Sequence, residues 1–141
     1  MNPIHVDRDG RWDWEGRPML HEGILRYLKQ NLEQDTDGGW WVTVGPSRVP
    51  VIVEDAPFLV EALLADPPRL RLDDGSEEPL PAPFALVQDA EHRLHTRARG
   101  GKYRALLSRA AHHQVWGALE EDAGGRRWLV LGATSVPVEL S

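Results

Sequence analysis

The strongest constraint on how this chain can fold is that much of it is written twice. Gly45 and Gly132 lie 87 positions apart (132 − 45). Without a gap, the same offset pairs Arg17 with Arg104, Leu20 with Leu107, Leu32 with Leu119 and Asp35 with Asp122. Further along it pairs Gly38 with Gly125, Trp41 with Trp128, and Val49-Pro50-Val51 with Val136-Pro137-Val138. Chance matches a few residues, but not glycines, a tryptophan and a Val-Pro-Val in one register, so the pattern reads as an internal duplication.

Each copy carries the same run of local signals. In the first, Asp9-Gly10 and Glu15-Gly16 are turn signals, and Trp12 and Trp14 alternate with charged residues at strand period. Leu20, Ile24, Leu28 and Leu32 then fall at helical spacing, with Asp35 and Gly38-Gly39 as the helix end. Two strands follow around Gly45-Pro46-Ser47. In the second copy, strands from Arg93 to Arg99 and Tyr103 to Leu107 flank Gly100-Gly101, a hairpin signal. Ser108 is a helix N-cap, and Ala111, Val115, Ala118 and Leu119 are the buried stripe. Gly124-Gly125 closes that helix, and Trp128–Leu131 with Val136–Leu140 forms the last hairpin.

The expected fold class is therefore α+β: two repeated β-β-α-β-β units, each burying a helix against an antiparallel sheet. The first repeat takes residues 1–66 and the second 89–141. Residues 67–88, rich in proline around a short strand at Leu70–Leu72, connect them. Whether Phe58 to Leu64 is strand or helix is open on period alone.

Composition narrows function more than it defines it. There is no cysteine, which excludes disulfides, thiolate metal sites and cysteine nucleophiles. A formal net charge of −6 argues against sequence-independent duplex DNA binding, which rests on neutralising phosphates. No run approaches the roughly 20 apolar residues of a membrane span, and no apolar leader is present, so a cytoplasmic protein without a membrane partner is expected. The charge is segregated, however. Arg93, Arg97, Arg99, Lys102, Arg104 and Arg109 follow one another with no acid between them. Such a strip on an acidic body suits a compact anion.

Several residues are candidates for a site. Arg93, His95, Arg97 and Arg99 recur at period two, on one face of a strand, with Lys102 and Arg104 past the turn. They read either as a clamp for phosphate or carboxylate, or as a charged strand that resists edge pairing. Glu54 and Asp55 are adjacent and diverge, so they are a poor acid–base pair; Asp55 reads as a turn acceptor or as an acceptor for a ligand hydroxyl. His112 and His113 are helix neighbours diverging by about 100°, and His92 and His95 face opposite ways, so no metal site is expected. His112 with Trp116 is an i, i+4 pair that covers the sheet or stacks on the other half. The serines lack a nucleophile-elbow context, and Gly100-Gly101-Lys102 is not a phosphate loop. No catalytic motif and no cofactor signature emerges.

"DRDGRWDWEGRPML", followed by a helix and "VPVIVEDAPF", resembles the first half of the bacterial family called domain of unknown function 1285, and "GGKYRALLSRAAHHQVWGALEE" resembles its second half. The family pattern falls on Asp9, Gly10, Trp12, Gly16, Pro18, Glu54, Asp55, Ala56, Pro57 and Phe58. The resemblance implies two repeated α+β subdomains, the second similar to pleckstrin-homology folds, and favours a strand at Phe58 to Leu64. It also implies a ligand site where they meet, for a nucleotide-like molecule, with a signalling role. Together these observations lead to the expectation of a non-enzymatic binding module for an anionic small ligand. Arg93, Arg97, Arg99, Lys102 and Arg104 would meet the anion, and Glu54, Asp55 and Trp12 would orient the rest. The alternative is an adaptor or homodimerising module that binds protein through a strand edge or a patch holding Trp14 or Trp116.

Overall fold

The computed structural model describes residues 2–141, and these fall into two compact units that divide after Pro57. The first unit opens with β1 (Ile4–Val6), β2 (Trp12–Trp14) and β3 (Arg17–Pro18), followed by the helix α1 (Glu22–Gln30). It closes with β4 (Leu32–Gln34), β5 (Trp40–Val44) and β6 (Ser47–Val53). These strands form one six-stranded sheet in the order β3-β2-β1-β6-β5-β4. The core of the unit is Ile4, Val6, Trp12, Leu28, Val42 and Val51, with Met19, Leu25 and Trp40 packed against it.

The second unit begins with β7 (Phe58–Leu64), β8 (Arg69–Leu72) and β9 (Glu77–Pro79). Then come β10 (Phe84–Gln88), β11 (Leu94–Ala98), β12 (Tyr103–Leu107), α2 (Arg109–Ala118), β13 (Leu119–Glu121), β14 (Arg127–Leu131) and β15 (Thr134–Leu140). All nine strands share one sheet, in the order β13-β14-β15-β10-β11-β12-β7-β8-β9. Phe58 to Leu64 is thus a strand, and the stretch expected as a connector is three strands of the sheet.

Both units are α+β, with mixed sheets where antiparallel ones were expected. β1 pairs parallel with β6, β10 with β15, and β12 with β7. The cause is connectivity: four strands separate the members of each pair, joined by a helix between β1 and β6 and between β10 and β15, and such a long crossover brings the chain back in the same direction. Each helix also lies between runs of three strands rather than two: Ile4–Val6 and Phe84–Gln88 add one before it, and Leu32–Gln34 and Leu119–Glu121, which continue the helical apolar spacing, add one after it.

The helices end earlier than their apolar spacing suggests. The N–H of Asn31 donates to Leu28 O, and its side-chain amide donates to Tyr27 O (2.6 Å), closing α1. Leu32–Gln34 then pairs with β5, and Asp35 to Gly39 is the hairpin turn, with Gly38 at φ 90°. Likewise Leu119–Glu121 leaves α2 to pair with β14, and Gly124-Gly125 lies in a turn. A residue with positive φ is what such three-residue hairpin loops require, so these glycines punctuate strands rather than helices. Of the residues read at helical spacing, Leu28 is buried and Leu32, on β4, half-buried, whereas Ile24 on α1 and Leu20, which precedes it, are exposed.

Candidate anion-binding face

The hairpin β11–β12 carries most of the basic strip. Its register places His95 opposite Leu106, Thr96 opposite Ala105, Arg97 opposite Arg104 and Ala98 opposite Tyr103. Leu94, Thr96 and Ala98 are buried on one face, and His95, on the face of Arg97, is buried as well, so Arg97 is the exposed residue of this strand. The turn between the strands places Arg99, Gly100 and Gly101 all at positive φ (57°, 69° and 85°). Glycine supplies two of those at little cost, whereas Arg99 is held there by its bonds.

Those bonds separate the arginines that sequence alone treats as one set. Arg93 and Arg99 flank the strand rather than lie in it, so the four period-two positions do not form one row. Arg93 is folded onto its own turn, its Nε 2.9 Å from Asp89 Oδ2 and 3.8 Å from Glu91. Asp89 also accepts the N–H groups of Glu91 and Arg93 at 2.9 Å. Burial alone would raise the Asp89 carboxyl. The Arg93 N–H, its guanidinium and its charge, with a smaller effect from His95, outweigh that and hold it below its ordinary value.

Arg99 is tied down more firmly. Its guanidinium pairs with Asp74, a carboxylate only 2% exposed in the turn between β8 and β9, and lies 4.9 Å over the Phe58 ring. The Asp74 carboxylate also accepts the N–H and hydroxyl of Ser76 (2.8 and 2.6 Å). The backbone N–H of Arg99 donates to Glu78 (2.9 Å). This arginine holds two hairpins together and is spent on structure.

Arg97 differs. It is exposed and forms no ion pair among the described residues, with Arg104, also exposed, directly opposite on β12. Lys102 projects from the same turn, 5.1 Å over the Tyr103 ring. Beside Arg97 is a hollow of about 280 Å³, walled by Pro79, Pro81, Pro83, Gly100 and Gly101, with Glu78 at its rim. The Glu78 carboxylate is held by the N–H groups of Arg99 and, more weakly, Gly100 (3.4 Å).

The remaining expected site residues belong to the first unit. Trp12 is 3% exposed in its core, so it cannot face a ligand, and its indole Nε1 finds no partner among the described residues. Glu54 accepts the Arg8 N–H (3.0 Å) and gives its own N–H to Val6 O, fastening the end of β6 beside β1. Asp55 is half-buried in the bend that leaves the first unit, just before the buried Ala56 and Pro57.

Trp116 donates its indole N–H to His112 (2.7 Å) on an exposed flank of α2 rather than covering the sheet. No group of three or more potential ligands for a metal ion occurs among the described residues. No helix among them is long and apolar enough to cross a membrane.

A second hollow, of about 360 Å³, went unforeseen. It is lined by Arg126, Arg127, Trp128, Pro83, Pro137 and Glu139. The signal was the adjacent basic pair before Trp128, masked by reading Gly124-Gly125 as a helix end. Its electrostatics are mixed. Asp122 accepts the Trp128 indole N–H and the Arg126 and Gly124 N–H groups, which together hold its carboxyl below the ordinary value. That carboxylate and Glu139 offset the two arginines.

With this geometry in hand, the solved structures are informative. The chain is similar to a DUF1285 family protein from Silicibacter pomeroyi DSS-3, with a TM-score of 0.70 at 18% identity, over 96% of this chain and 79% of that one. It is also similar to a DUF1285 family protein from Shewanella baltica OS155, with a TM-score of 0.57 at 17% identity, over 83% of this chain and 92% of that one. The fold is DUF1285-like. No family model and no curated protein matches the sequence, so the likeness carries the architecture and leaves the chemistry to the residues.

Proposed function

We propose that the second unit binds a compact anionic small molecule, of the phosphate-bearing or nucleotide-like class, at the face shared by Arg97, Arg104 and Lys102. The observation that carries this reading is Arg97: exposed, without an ion pair among the described residues, opposite a second arginine and beside a hollow. Arginine forks match the paired oxygens of phosphate or carboxylate, and their planar geometry gives direction as well as charge. The neighbouring hollow suits the body of a small ligand, with proline rings as its apolar walls. Glu78, its carboxylate, is engaged as an acceptor of turn N–H groups, which favours binding over turnover. A signalling role, in which occupancy is reported to other molecules, is the natural use of a site that binds without reacting.

Calorimetric titration with pyrophosphate tests this. Saturable binding should weaken at least tenfold in Arg97→Ala and in Arg104→Ala, and should fall with added salt. No saturation at about 5 mM, or wild-type affinity in both variants, would discard the reading.

The same proposal includes a doubled origin for the chain. Its support is the strand order, β3-β2-β1-β6-β5-β4 in one unit against β12-β11-β10-β15-β14-β13 in the other, each with a helix between its third and fourth strands. The pleckstrin-homology-like reading of the second unit has one support, the antiparallel run β10–β11–β12 leading directly into α2.

A further inference from the structure

In the second unit, β7 covers the start of α2 and the outer edge of β12. It runs parallel to β12, with Ala105 beside Phe58 and Leu107 beside Val60. Ser108 gives its N–H to Val60 O (3.0 Å) and its hydroxyl to Glu61 O (3.1 Å). The Gln114 side chain clasps Leu63 from both sides, accepting its N–H (2.8 Å) and donating to its carbonyl (2.9 Å). In that setting Leu107 and Ala111 are 4% and 0% exposed.

The first unit builds the same corner and leaves it open. His21 caps α1 by accepting the Ile24 N–H, as Ser108 caps α2 by accepting that of Ala111. Counted from the caps, Leu20 stands where Leu107 does, Ile24 where Ala111 does, and Tyr27 where Gln114 does. Yet among the described residues no strand lies outside β3, which is the edge of its sheet. Leu20 is 80% exposed, Ile24 51% and Tyr27 48%. The His21 N–H, matching the one that Ser108 gives to Val60, meets no carbonyl among the described residues.

Size and charge indicate what would fit. The three side chains leave on the order of 300 Å² in water, well short of the ~800 Å² per partner of a stable protein pair and in scale with one short strand. Arg17 on β3 and Arg26 on α1 are exposed and have no ion pair among the described residues, so carboxylates on the incoming segment would be favoured. Pro18 has no N–H to give, which shortens the hydrogen-bonded ladder and leaves side-chain burial to carry the affinity.

We propose that the β3 edge and the Leu20–Ile24–Tyr27 stripe form a docking site for one extended segment of a partner protein. That segment has apolar side chains at alternate positions with carboxylates beside them, and adds parallel to β3 as β7 adds to β12. The site is separate from the anion-binding face and stands without it.

A peptide with the sequence of residues 54–66, EDAPFLVEALLAD, has this chemistry and serves as the probe. Titrated as a fluorescent conjugate into the full chain, it should give saturable anisotropy that a scrambled peptide does not. Ile24→Glu should weaken binding at least tenfold and Arg17→Glu about threefold. Both positions are exposed, so the melting temperature should stay unchanged, which separates lost docking from lost folding. Three results would overturn the proposal. One is no saturation at about 1 mM peptide. Another is unchanged binding in Ile24→Glu, which would mean that the peptide displaces β7 in the second unit. The third is a dimer in light scattering that Ile24→Glu dissociates, which would give the face to a second copy of the chain.

Discussion

Replacing Arg99 by methionine separates the arginine tied into the fold from the exposed Arg97. The substitution keeps the stem and does not relieve the positive φ, so it removes the guanidinium alone. Lost with it are the ion pair to Asp74, which is 2% exposed, and the contact over Phe58, which is equally buried. A hydrogen bond to a charged group contributes about 1.5–3 kcal/mol, and a cation over a ring about 0.5–1. Because the guanidinium is 39% exposed, solvent screening discounts both, and about 2 kcal/mol is the working figure. Arg97→Met removes no contact of comparable depth and should stay within about 0.5 kcal/mol. In urea denaturation, Arg99→Met should lower the midpoint by about 1 M for the transition that reports the second unit, and Arg97→Met should not move it measurably. Equal midpoints for the two variants would refute the division of the basic strip into a structural and a free part.

Gly45 and Gly132, which lie at φ 58° and 61°, should respond unequally to alanine. A Cβ at Gly45 meets nothing within 4 Å, while one at Gly132 comes within 2.8 Å of Asp66 Cγ, whose carboxylate accepts the Ala133 N–H. Both variants incur roughly 1 kcal/mol for the left-handed conformation, and Gly132→Ala about 1 kcal/mol more, readable as the difference in their denaturation free energies. Gln114→Ala should lower stability by about 2 kcal/mol in the same assay, because it strands the N–H and carbonyl of Leu63, which is 3% exposed. Asp89 gives a pH dependence. Its folded carboxyl is depressed, so its stabilisation is present above the unfolded value of about 3.9 and is lost as pH falls through the folded one. The stability gap between wild type and Asp89→Asn should therefore shrink below about pH 4; a gap that widens there would reverse the sign.

The sequence announced turns better than it announced the strands they join. Asp9-Gly10 and Gly100-Gly101 lie in turns as read, and the turn glycines sit at positive φ because only that backbone closes such loops. The helices were overextended because Leu32 and Leu119 continue the helical spacing by coincidence. Nothing local says that the strand after each of them outcompetes another helical turn. Parallel pairing of β1 with β6 was hidden for a different reason: it is a contact between residues some 47 apart (Ile4 and Val51), with no turn to advertise it.

The candidate site was half legible. A run of cations shows in any sequence, but which are already neutralised depends on Asp74, Asp89 and Glu91, carboxylates whose pairing is set by hairpin geometry. Trp12 was misassigned for the same reason, since a tryptophan at strand period looks alike whether its ring faces the core or a ligand.

The most direct test of the anion-binding face is an amide-resolved NMR titration of the full chain with pyrophosphate. Saturable shifts should centre on Arg97, Gly100, Gly101, Lys102 and Arg104, and should vanish in Arg97→Ala. Shifts centred instead on Arg126, Arg127 and Trp128, or none that saturate, would contradict the account.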